Sequence, residues 1–514
     1  MDLYIPLFVA IPLGGAFITA IVGLFSKVFA RYFTSLIMAA LVVLSLVFVF
    51  NGKGFYSFEV GGWKLINKVP VAIYMVVDGL TLYLLMIISI IGFFSAFYSI
   101  SYIKKFTGEN LYYTLFSLMV AGMNGVVVSG DLFNLYVFLE IAAIASYALV
   151  AFGIEKEELE ASFKYQVLGG MSSLFILLSI GILYWMTSTL NIADMGKLLQ
   201  QNKATDMVKF VQVILLAGFG LKTAMIPFHA WLPDAHSSAP SPISSMLSGV
   251  LIKAIGAYVI IRLFFNMFII TTPIAFVITV IGTLSMVVGV LLAIGQWDIK
   301  RLLAYHSISQ MGYVILGVGI GMLVISKGGN NSVAKLAIAG GLFHLFNHAV
   351  FKGLLFLNAG AVEYETGIRD MKRLGGLASK MPITASTSLS ASMSISGIPP
   401  FNGFFSKLII IIAAIQAKYY LLSVLAVFVS IITLASFMKV QRFTFYNKNE
   451  TTMNSKLKEV REVPFPMCFS MIFLTILCLV LSLFIVPGIK EIFLDPAVSV
   501  LTNAMQYSVN VLGY

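Results

Sequence analysis

Ionisable residues inside long apolar runs are the residues of this sequence best suited to chemistry. Glu140 lies within LYVFLEIAAIASY, and Lys253 lies within VLIKAIGAY. Lys222 precedes a proline in another apolar run, and Lys407 follows a Gly/Pro-rich stretch. A charged side chain at the centre of a bilayer costs about 2.5–3.5 kcal/mol on insertion scales, so each position requires a reason. Carboxylates and amines at such depth favour the movement of protons or small monovalent cations.

A second set of titratable residues lies along one helix face. In HLFNHAVFKG, His344, His348 and Lys352 are spaced four residues apart and share a slowly drifting face. Two histidines beside a lysine favour a proton path, with hydrogen-bonded packing as the alternative. Lys352 lies closer to a span end, so snorkelling to the interface is its alternative.

Glu140 and Lys222 are candidates for a switch. Burial disfavours the charged form of a lysine, whereas a carboxylate about 4 Å away returns roughly 4 kcal/mol at an effective dielectric of about 20. Making and breaking that contact would load and release a proton. The alternative is a static ion pair that holds two helices together.

Candidates of a second rank lie near span ends. Asp234, in WLPDAHSSAPSP, is expected to cap or tether the loop between two spans. Asp78 and Asp131 are expected to be solvated or to cap helices. For the histidines near span ends, relay and packing roles are equally open: His229, His236 and His306.

The composition requires membrane helices to position these groups. The chain has 514 residues, of which 59% are hydrophobic and 11% charged, whereas a soluble domain carries about 25% charge. Apolar runs indicate about fourteen spans, and hence an all-α polytopic membrane protein. We place the spans at 3–25, 32–50, 73–100, 111–129, 132–152, 163–189, 208–231, 241–265, 271–293, 301–325, 333–360, 382–416, 419–443 and 465–488.

The loops and termini give an orientation. Of the 33 lysines and arginines, about 18 fall in loops on the inner side, about 11 in outer loops and four within spans if both termini are external. The Gly-rich segment 51–72 is expected to form an external hairpin. MDLYIPLFVAIPLGG has no basic region or clear cleavage site, so we expect it to remain as the first span. The net charge of +11 therefore indicates inner loops and not nucleic-acid binding.

Two spans are interrupted by proline. Pro227 lies within the seventh span, and Pro399 and Pro400 lie within the twelfth. Each break would be fourth in a unit of five spans, which predicts inverted repeats at 111–265 and 271–443. The flanking regions are 1–110, with three helices and the hairpin, and 444–514, with the last helix and a tail. Independent proline kinks are the alternative.

Cysteine and metal motifs are scarce. Cys468 and Cys478 lie in one apolar run and are expected to act as small hydrophobic residues. The sequence contains no CxxC or Cys/His cluster, so we expect no metal and no cofactor in this chain. Without a nucleotide-binding loop, redox chemistry would belong to partner subunits.

Several motifs together resemble one family of membrane subunits. They are LKTAMIPFHAWLPDAHSSAPSPISSMLSGVLIKAIGAY, QWDIKRLLAYHSISQMGY, FHLFNHAVFKGLLFLNAGAV, TGIRDMKRLGGLASKMP and SGIPPFNGFFSK. Over roughly 70–440 the chain resembles the antiporter-like subunits of respiratory complex I, of Mrp-type sodium/proton antiporters (the D subunit especially) and of membrane-bound hydrogenases. The motifs do not distinguish among these complexes.

The resemblance implies a fold, partners and roles. It implies fourteen helices, with two inverted five-helix units, in the plasma membrane of a prokaryote. It implies partners that are other membrane subunits, including a second antiporter-like subunit and small helical subunits. No long lateral helix followed by an extra span is evident after 488, which argues against the longest subunit type.

Specific residues match the family's motifs. Glu140 and Lys222 resemble its coupling pair, and Lys253 resembles its central bridging lysine. His344 and His348 resemble the histidines between the half-channels. Lys407 resembles the lysine at the second broken helix, where some relatives have glutamate. The function implied is proton transport, with possible exchange for sodium, in a multisubunit complex; the alternative is a standalone carrier for an organic solute.

Overall fold

A computed structural model describes residues 1–52, 54–63, 70–201, 205–447 and 459–513. These residues form a helical bundle with one small hairpin, β1 (Phe55–Glu59) and β2 (Tyr74–Asp78). The helices are α1 (Leu7–Val22), α2 (Lys27–Phe50), α3 (Gly79–Tyr102), α4 (Glu109–Val128), α5 (Leu132–Val150), α6 (Lys156–Thr187), α7 (Ile192–Gln201), α8 (Asp206–Thr223), α9 (Trp231–Ser238), α10 (Ser241–Asn266), α11 (Thr272–Ile294), α12 (Ile299–Ser326), α13 (Asn331–Thr366), α14 (Pro382–Ser396), α15 (Asn402–Gln416), α16 (Tyr420–Gln441), α17 (Phe465–Val480), α18 (Ile489–Phe493), α19 (Asp495–Thr502) and α20 (Ala504–Leu512).

The span count agrees with the sequence. Twelve continuous helices in the described ranges are long and apolar enough to cross a membrane. The two remaining predicted spans are the interrupted ones, which form the pairs α8/α9 and α14/α15. The predicted all-α polytopic fold is therefore confirmed, while the inverted relation of the two five-helix units stays a prediction.

The hairpin differs in position from the prediction. β1 pairs antiparallel with β2, so that Glu59 faces Tyr74. The second strand therefore occupies the beginning of the predicted third span, and α3 starts at Gly79. The helix starts there because Asp78 caps it, its carboxylate accepting from the Thr81 amide at 2.9 Å. Residues 53 and 64–69 of the predicted hairpin lie outside the described residues.

The first break is stabilised by side chains. α8 ends at Thr223, and Ala224 adopts a left-handed conformation with φ 56°. Pro227 lies in the gap before α9 and not inside a kinked helix. The Trp231 indole donates to the Leu221 carbonyl at 3.0 Å, and the Ile226 amide donates to the Ser285 hydroxyl at 3.0 Å. These bonds satisfy backbone groups freed at membrane depth.

The second break is stabilised by a glycine at the end of α14 and by a lysine side chain from α15. α14 ends at Ser396, where Gly397 takes the left-handed conformation at φ 78°. Pro399 and Pro400 fill the gap before α15. The Lys407 ammonium then donates to the Ile395 carbonyl at 2.7 Å, because the break leaves that carbonyl without its helical partner.

The central helix is irregular. α10 is buried along its apolar stretch and contains two π-helical segments, Leu247–Leu251 and Lys253–Ala257. π-helical turns are frequent at functional sites, and Lys253 is the first residue of the second of these segments. α1, α2, α6, α11 and α16 instead expose much of their apolar surface, as helices at the lipid boundary do.

The tail after 488, for which no structure was predicted, forms α18 to α20. It packs against α3, α7 and α10. The Asn266 amide donates to the Val500 carbonyl at 2.9 Å, and the Ser508 hydroxyl donates to the Ala193 carbonyl at 3.0 Å.

Candidate functional site

The Glu140 and Lys222 side chains lie within ion-pair distance. Glu140 Oε1 and Lys222 Nζ are 3.7 Å apart, with 27% and 1% of the side chains exposed. Ser173 on α6 lies between them: its hydroxyl donates to Glu140, and Lys222 donates to the same hydroxyl at 3.2 Å. The pair is therefore connected both directly and through a hydroxyl that is donor and acceptor at once.

Local structure positions this pair. Lys222 lies one residue before the end of α8, so the break turns the chain away beside its ammonium group. The Tyr147 hydroxyl of α5 lies 3.5 Å from Lys222 Nζ. Sequence reasoning missed Ser173 and Tyr147, because serine and tyrosine are common in these spans and nothing in their spacing distinguishes the two that reach the lysine.

Lys253 is fully buried in the irregular part of α10. Its ammonium donates to the Ser248 carbonyl, five residues earlier, at 2.6 Å. The wider π turn brings that carbonyl within reach. The Ser248 hydroxyl in turn lies 2.6 Å from the Ser307 hydroxyl of α12. Within the described part of the chain, Lys253 is thus held by a neutral oxygen and by no carboxylate.

The two histidines of α13 lie near the helix that follows the second break. His344 Nδ1 lies 2.9 Å from the Ser406 hydroxyl, and Nε2 lies 3.1 Å from Gln310 Oε1. The His344 and His348 rings are nearly parallel, with centroids 6.5 Å apart. Because Ser406 directly precedes Lys407, the contact with Ser406 places His344 next to the second broken helix.

Two buried histidines and one buried lysine have no hydrogen-bond partner within the described ranges: His236, His348 and Lys352. The His236 ring on α9 lies 5.0 Å from the Phe356 ring at a tilt of 36°, and Lys352 Nζ lies 5.7 Å from the same ring. Lys352 is fully buried, so the snorkelling alternative is wrong. Buried polar groups are almost always bonded, and exceptions require a functional explanation.

Lys407 is the last of the buried or partly buried titratable residues near the two breaks. We refer to this set as the row: Glu140, Lys222, Lys253, His344, His348 and Lys407. Besides the Ile395 carbonyl, Lys407 contacts the Ser430 hydroxyl of α16 at 3.2 Å. Its ammonium lies 4.9 Å from the centre of the Tyr313 ring. The lysine is 3% exposed, so it is enclosed by protein between α12, α14 and α16.

The candidates of second rank lie around this row. His306 Nε2 is 2.8 Å from the Ser436 hydroxyl of α16. Asp234 binds Arg301 at 2.7 Å and Lys164 at 3.1 Å, and so ties α9 to α12 and α6. His229 is half-buried in the gap between α8 and α9.

Asp78 was expected to be solvated or to cap a helix, and the structure agrees with the second alternative. It caps α3 as predicted, but it is 1% exposed and not solvated. Arg262 of α10 binds both carboxylate oxygens, at 2.6 and 2.7 Å. Burial acts to raise the pKa of Asp78, but the arginine outweighs it and holds that pKa below its ordinary value. Asp131 caps α5 as expected, accepting from the Asn134 amide at 2.7 Å.

Sequence reasoning missed several ion pairs, two of which involve an almost fully buried cation. It overlooked Arg262, although a charge within YVIIRLFF was itself a signal. It also did not pair Lys300 with Glu363, although Lys300 is buried and binds Glu363 at 2.7 Å. Glu363 gave no signal, because it lies near a span end where carboxylates are ordinarily solvated.

The described residues thus define a multi-pass membrane protein with a row of buried titratable groups beside two broken helices. The family model described as NADH:quinone oxidoreductase/Mrp antiporter, transmembrane, matches residues 129–433. The chain belongs to this family.

Individual proteins agree with the assignment. The chain is 33% identical over 441 residues to the D subunit of the sodium/proton antiporter of Alkalihalophilus pseudofirmus, covering 84% of this chain and 86% of that one. It is 35% identical over 390 residues to the N subunit of the NADH-quinone oxidoreductase of Desulforudis audaxviator, with coverage of 75% and 74%. One chain in the structure of the Mrp complex from Dietzia superposes with a TM-score of 0.88 at 26% identity, with coverage of 100% and 99%.

Proposed function

We propose that this chain moves protons across a membrane as one subunit of a multisubunit complex. The observation that carries the proposal is the row of titratable groups contributed by separate helices. It begins at Glu140 and Lys222, includes Lys253, and reaches Lys407 through the two α13 histidines. Intramembrane ionisable residues arranged in this way are typical of proton relays.

The contacts support a relay of single protons. Each lysine is held by neutral hydroxyl or carbonyl oxygens, or by one carboxylate, and these can be exchanged one at a time. An organic solute would require a cavity of about 300–1,000 Å³ lined by groups that match it. Lys253 and His348 are instead fully buried in packed helices.

We infer the surroundings of the chain from its relatives. One of them is named as a subunit of a sodium/proton antiporter, and the superposed chain comes from an Mrp complex. The proposed partners are a second antiporter-like subunit and small helical subunits in the plasma membrane of a prokaryote. Exchange for sodium is proposed for the complex, and the proposal assigns sodium to no particular residues of this chain.

The two five-helix units are proposed to be inverted repeats, 111–265 and 271–443. In their support, each has its broken helix in the same place, with a lysine beside the gap: Lys222 before the first and Lys407 after the second. Such a pair of discontinuous helices marks the ion sites of many transporters.

The test of this function is reconstitution. Proteoliposomes that hold the complete complex are expected to dissipate or build a pH gradient, read with an entrapped pH-sensitive dye. This chain reconstituted alone is expected to take up no organic solute. Solute accumulation by the chain alone, or a complete complex that moves no protons under any ion gradient, would contradict the proposal.

The proposed orientation has both termini and the hairpin outside. In a variant without the two native cysteines, Asp2→Cys and Trp63→Cys are expected to react with an impermeant thiol reagent in intact cells. Lys104→Cys and Lys372→Cys are expected to react only after permeabilisation. All four positions are exposed, so accessibility within the protein does not bias the result. The reversed labelling pattern would show that the chain has the opposite orientation.

A further inference from the structure

A polar contact surface lies between α14 and α16, which pack against each other. It consists of Ser388, Ser392 and Ser396 on α14 and of Ser430 and Gln441 on α16, and we refer to it as the serine seam. All but Ser430 are nearly fully buried, so the seam faces protein and not lipid. Ser396 begins the motif SGIPPFNGFFSK, and Ser430 contacts Lys407. Ser388, Ser392 and Gln441 belong neither to the titratable row nor to the family motifs named above.

Gln441 organises one end of the seam. Its side-chain nitrogen donates to the Ser388 hydroxyl at 2.9 Å and to the Ser392 hydroxyl at 2.8 Å. Its side-chain oxygen is buried and has no hydrogen-bond partner among the residues that the structure describes. A buried amide with half of its hydrogen-bonding capacity unused indicates a site that is polar beyond what packing requires.

The other end of the seam is Lys407. The Lys407 ammonium donates to the Ser430 hydroxyl at 3.2 Å, and that hydroxyl donates to the Ser396 carbonyl at 2.9 Å. The Ser396 hydroxyl is buried and, within the described chain, unpartnered. The seam therefore opens directly onto the lysine at the second break.

The seam has the length of half a membrane. Ser388, Ser392 and Ser396 are spaced four residues apart, and eight residues of helix rise about 12 Å. Half of the hydrocarbon core is about 15 Å. The remaining distance lies in the first turn of α14, where Glu462 accepts from the Ile383 amide at 2.7 Å. The seam thus connects mid-membrane to the side on which α14 begins.

The serines on the opposite face of the same helix behave differently. Ser386 donates to the Pro382 carbonyl at 2.8 Å, and Ser390 donates to the Ser386 carbonyl at 3.0 Å. Their hydroxyl hydrogens are therefore used by the helix itself. Ser388 and Ser392 accept from Gln441 and, in the described part of the chain, donate to no backbone carbonyl, so their hydrogens remain available in the seam.

We propose that the serine seam is the path by which Lys407 exchanges protons with the aqueous phase on the side where α14 begins, which is the predicted inner side. This inference rests on the proposed function. It adds the route by which protons reach Lys407 and the side of the membrane from which they come. A serine hydroxyl both donates and accepts, so successive hydroxyls can pass a proton or hold the water that does so. Gln441 is a positioning residue that orients two of these hydroxyls.

Thiol accessibility tests the path directly. With both native cysteines replaced, Ser388→Cys and Ser392→Cys are made in the complete complex, with Ser390→Cys as the matched control. A small cationic, water-soluble thiol reagent is applied to inside-out vesicles. We expect modification of the two seam positions and loss of transport with it, and no modification at Ser390→Cys. A seam that only packs two helices would not react at either position.

Transport provides a second measurement. Ser388→Ala combined with Ser392→Ala, and separately Gln441→Leu, are expected to lower proton transport per assembled complex about a hundredfold, the lower end of what positioned proton transfer contributes. Ser386→Ala combined with Ser390→Ala should transport as the wild type does. If an alanine or leucine variant fails to assemble, the thiol measurement on the cysteine variants decides, because it reads chemical modification and not loss of transport.

The outcomes separate this inference from the proposed function. If Lys407→Ala abolishes transport while the seam thiols stay unmodified and Gln441→Leu transports normally, the path is wrong and the relay stands. If Lys407→Ala transports normally, the proposed relay itself fails. Modification at both seam positions, with the control unreactive, supports the path.

Discussion

Lys407→Ala is expected to abolish ion transport while the complex still assembles. Among the described residues the lysine contacts a carbonyl, a hydroxyl and an aromatic ring and no carboxylate, so its removal leaves none of their charges buried without a partner. Folding should therefore tolerate the change. Transport should not, because the titratable group at the second break would be missing.

Lys407→Arg is expected to fail as well, and this separates two explanations. Arginine keeps the positive charge and can retain the contact with the Tyr313 ring, but it does not release its proton in this pH range. Lys335→Ala and Lys335→Arg, at an exposed position on α13, serve as matched controls and should transport as the wild type does. Normal transport by Lys407→Arg would mean that the position requires only positive charge.

The breaks and the charged row were accessible from the sequence for identifiable reasons. Proline removes a backbone donor, so Pro227 and Pro399 located the two interruptions. Charges in apolar runs are costly, so Lys253 and Lys407 were conspicuous by type alone. Each of these signals depends on one residue and its near neighbours, which a linear sequence contains in full.

What the sequence did not reveal depends on contacts between distant segments. Ser173 lies between Glu140 and Lys222 only because α6 packs beside α5 and α8. The pairing of Arg262 with Asp78 likewise joins residues from different parts of the chain. Serines and span-end charges occur at many positions, so no local pattern distinguishes those that meet.

The second large effect is expected at the Glu140–Lys222 pair. Glu140→Ala should impair the protein under either view of the pair, because it leaves Lys222 buried without its carboxylate, at a cost of about 3–5 kcal/mol for a fully buried pair. The partial exposure of Glu140 lowers that cost. The single variant therefore does not distinguish a static pair from a switch.

The double variant Glu140→Gln with Lys222→Met distinguishes them. Replacing both partners of a buried pair by neutral groups is often neutral or stabilising, so the complex should assemble. Ser173 can still hydrogen-bond to the glutamine amide, which preserves the local packing. The matched control is Asp206→Asn with Lys209→Met, an exposed ion pair on the same helix α8 that should be dispensable.

Proton transport per assembled complex, compared among the wild type, Glu140→Ala, the double variant and the control pair, tests most directly whether titration of this pair moves protons. We predict a well-assembled double variant that transports nothing, because neither remaining side chain can bind and release a proton, beside a control pair that transports normally. Substantial transport by the double variant would show that the pair is only structural and would remove Glu140 and Lys222 from the mechanism.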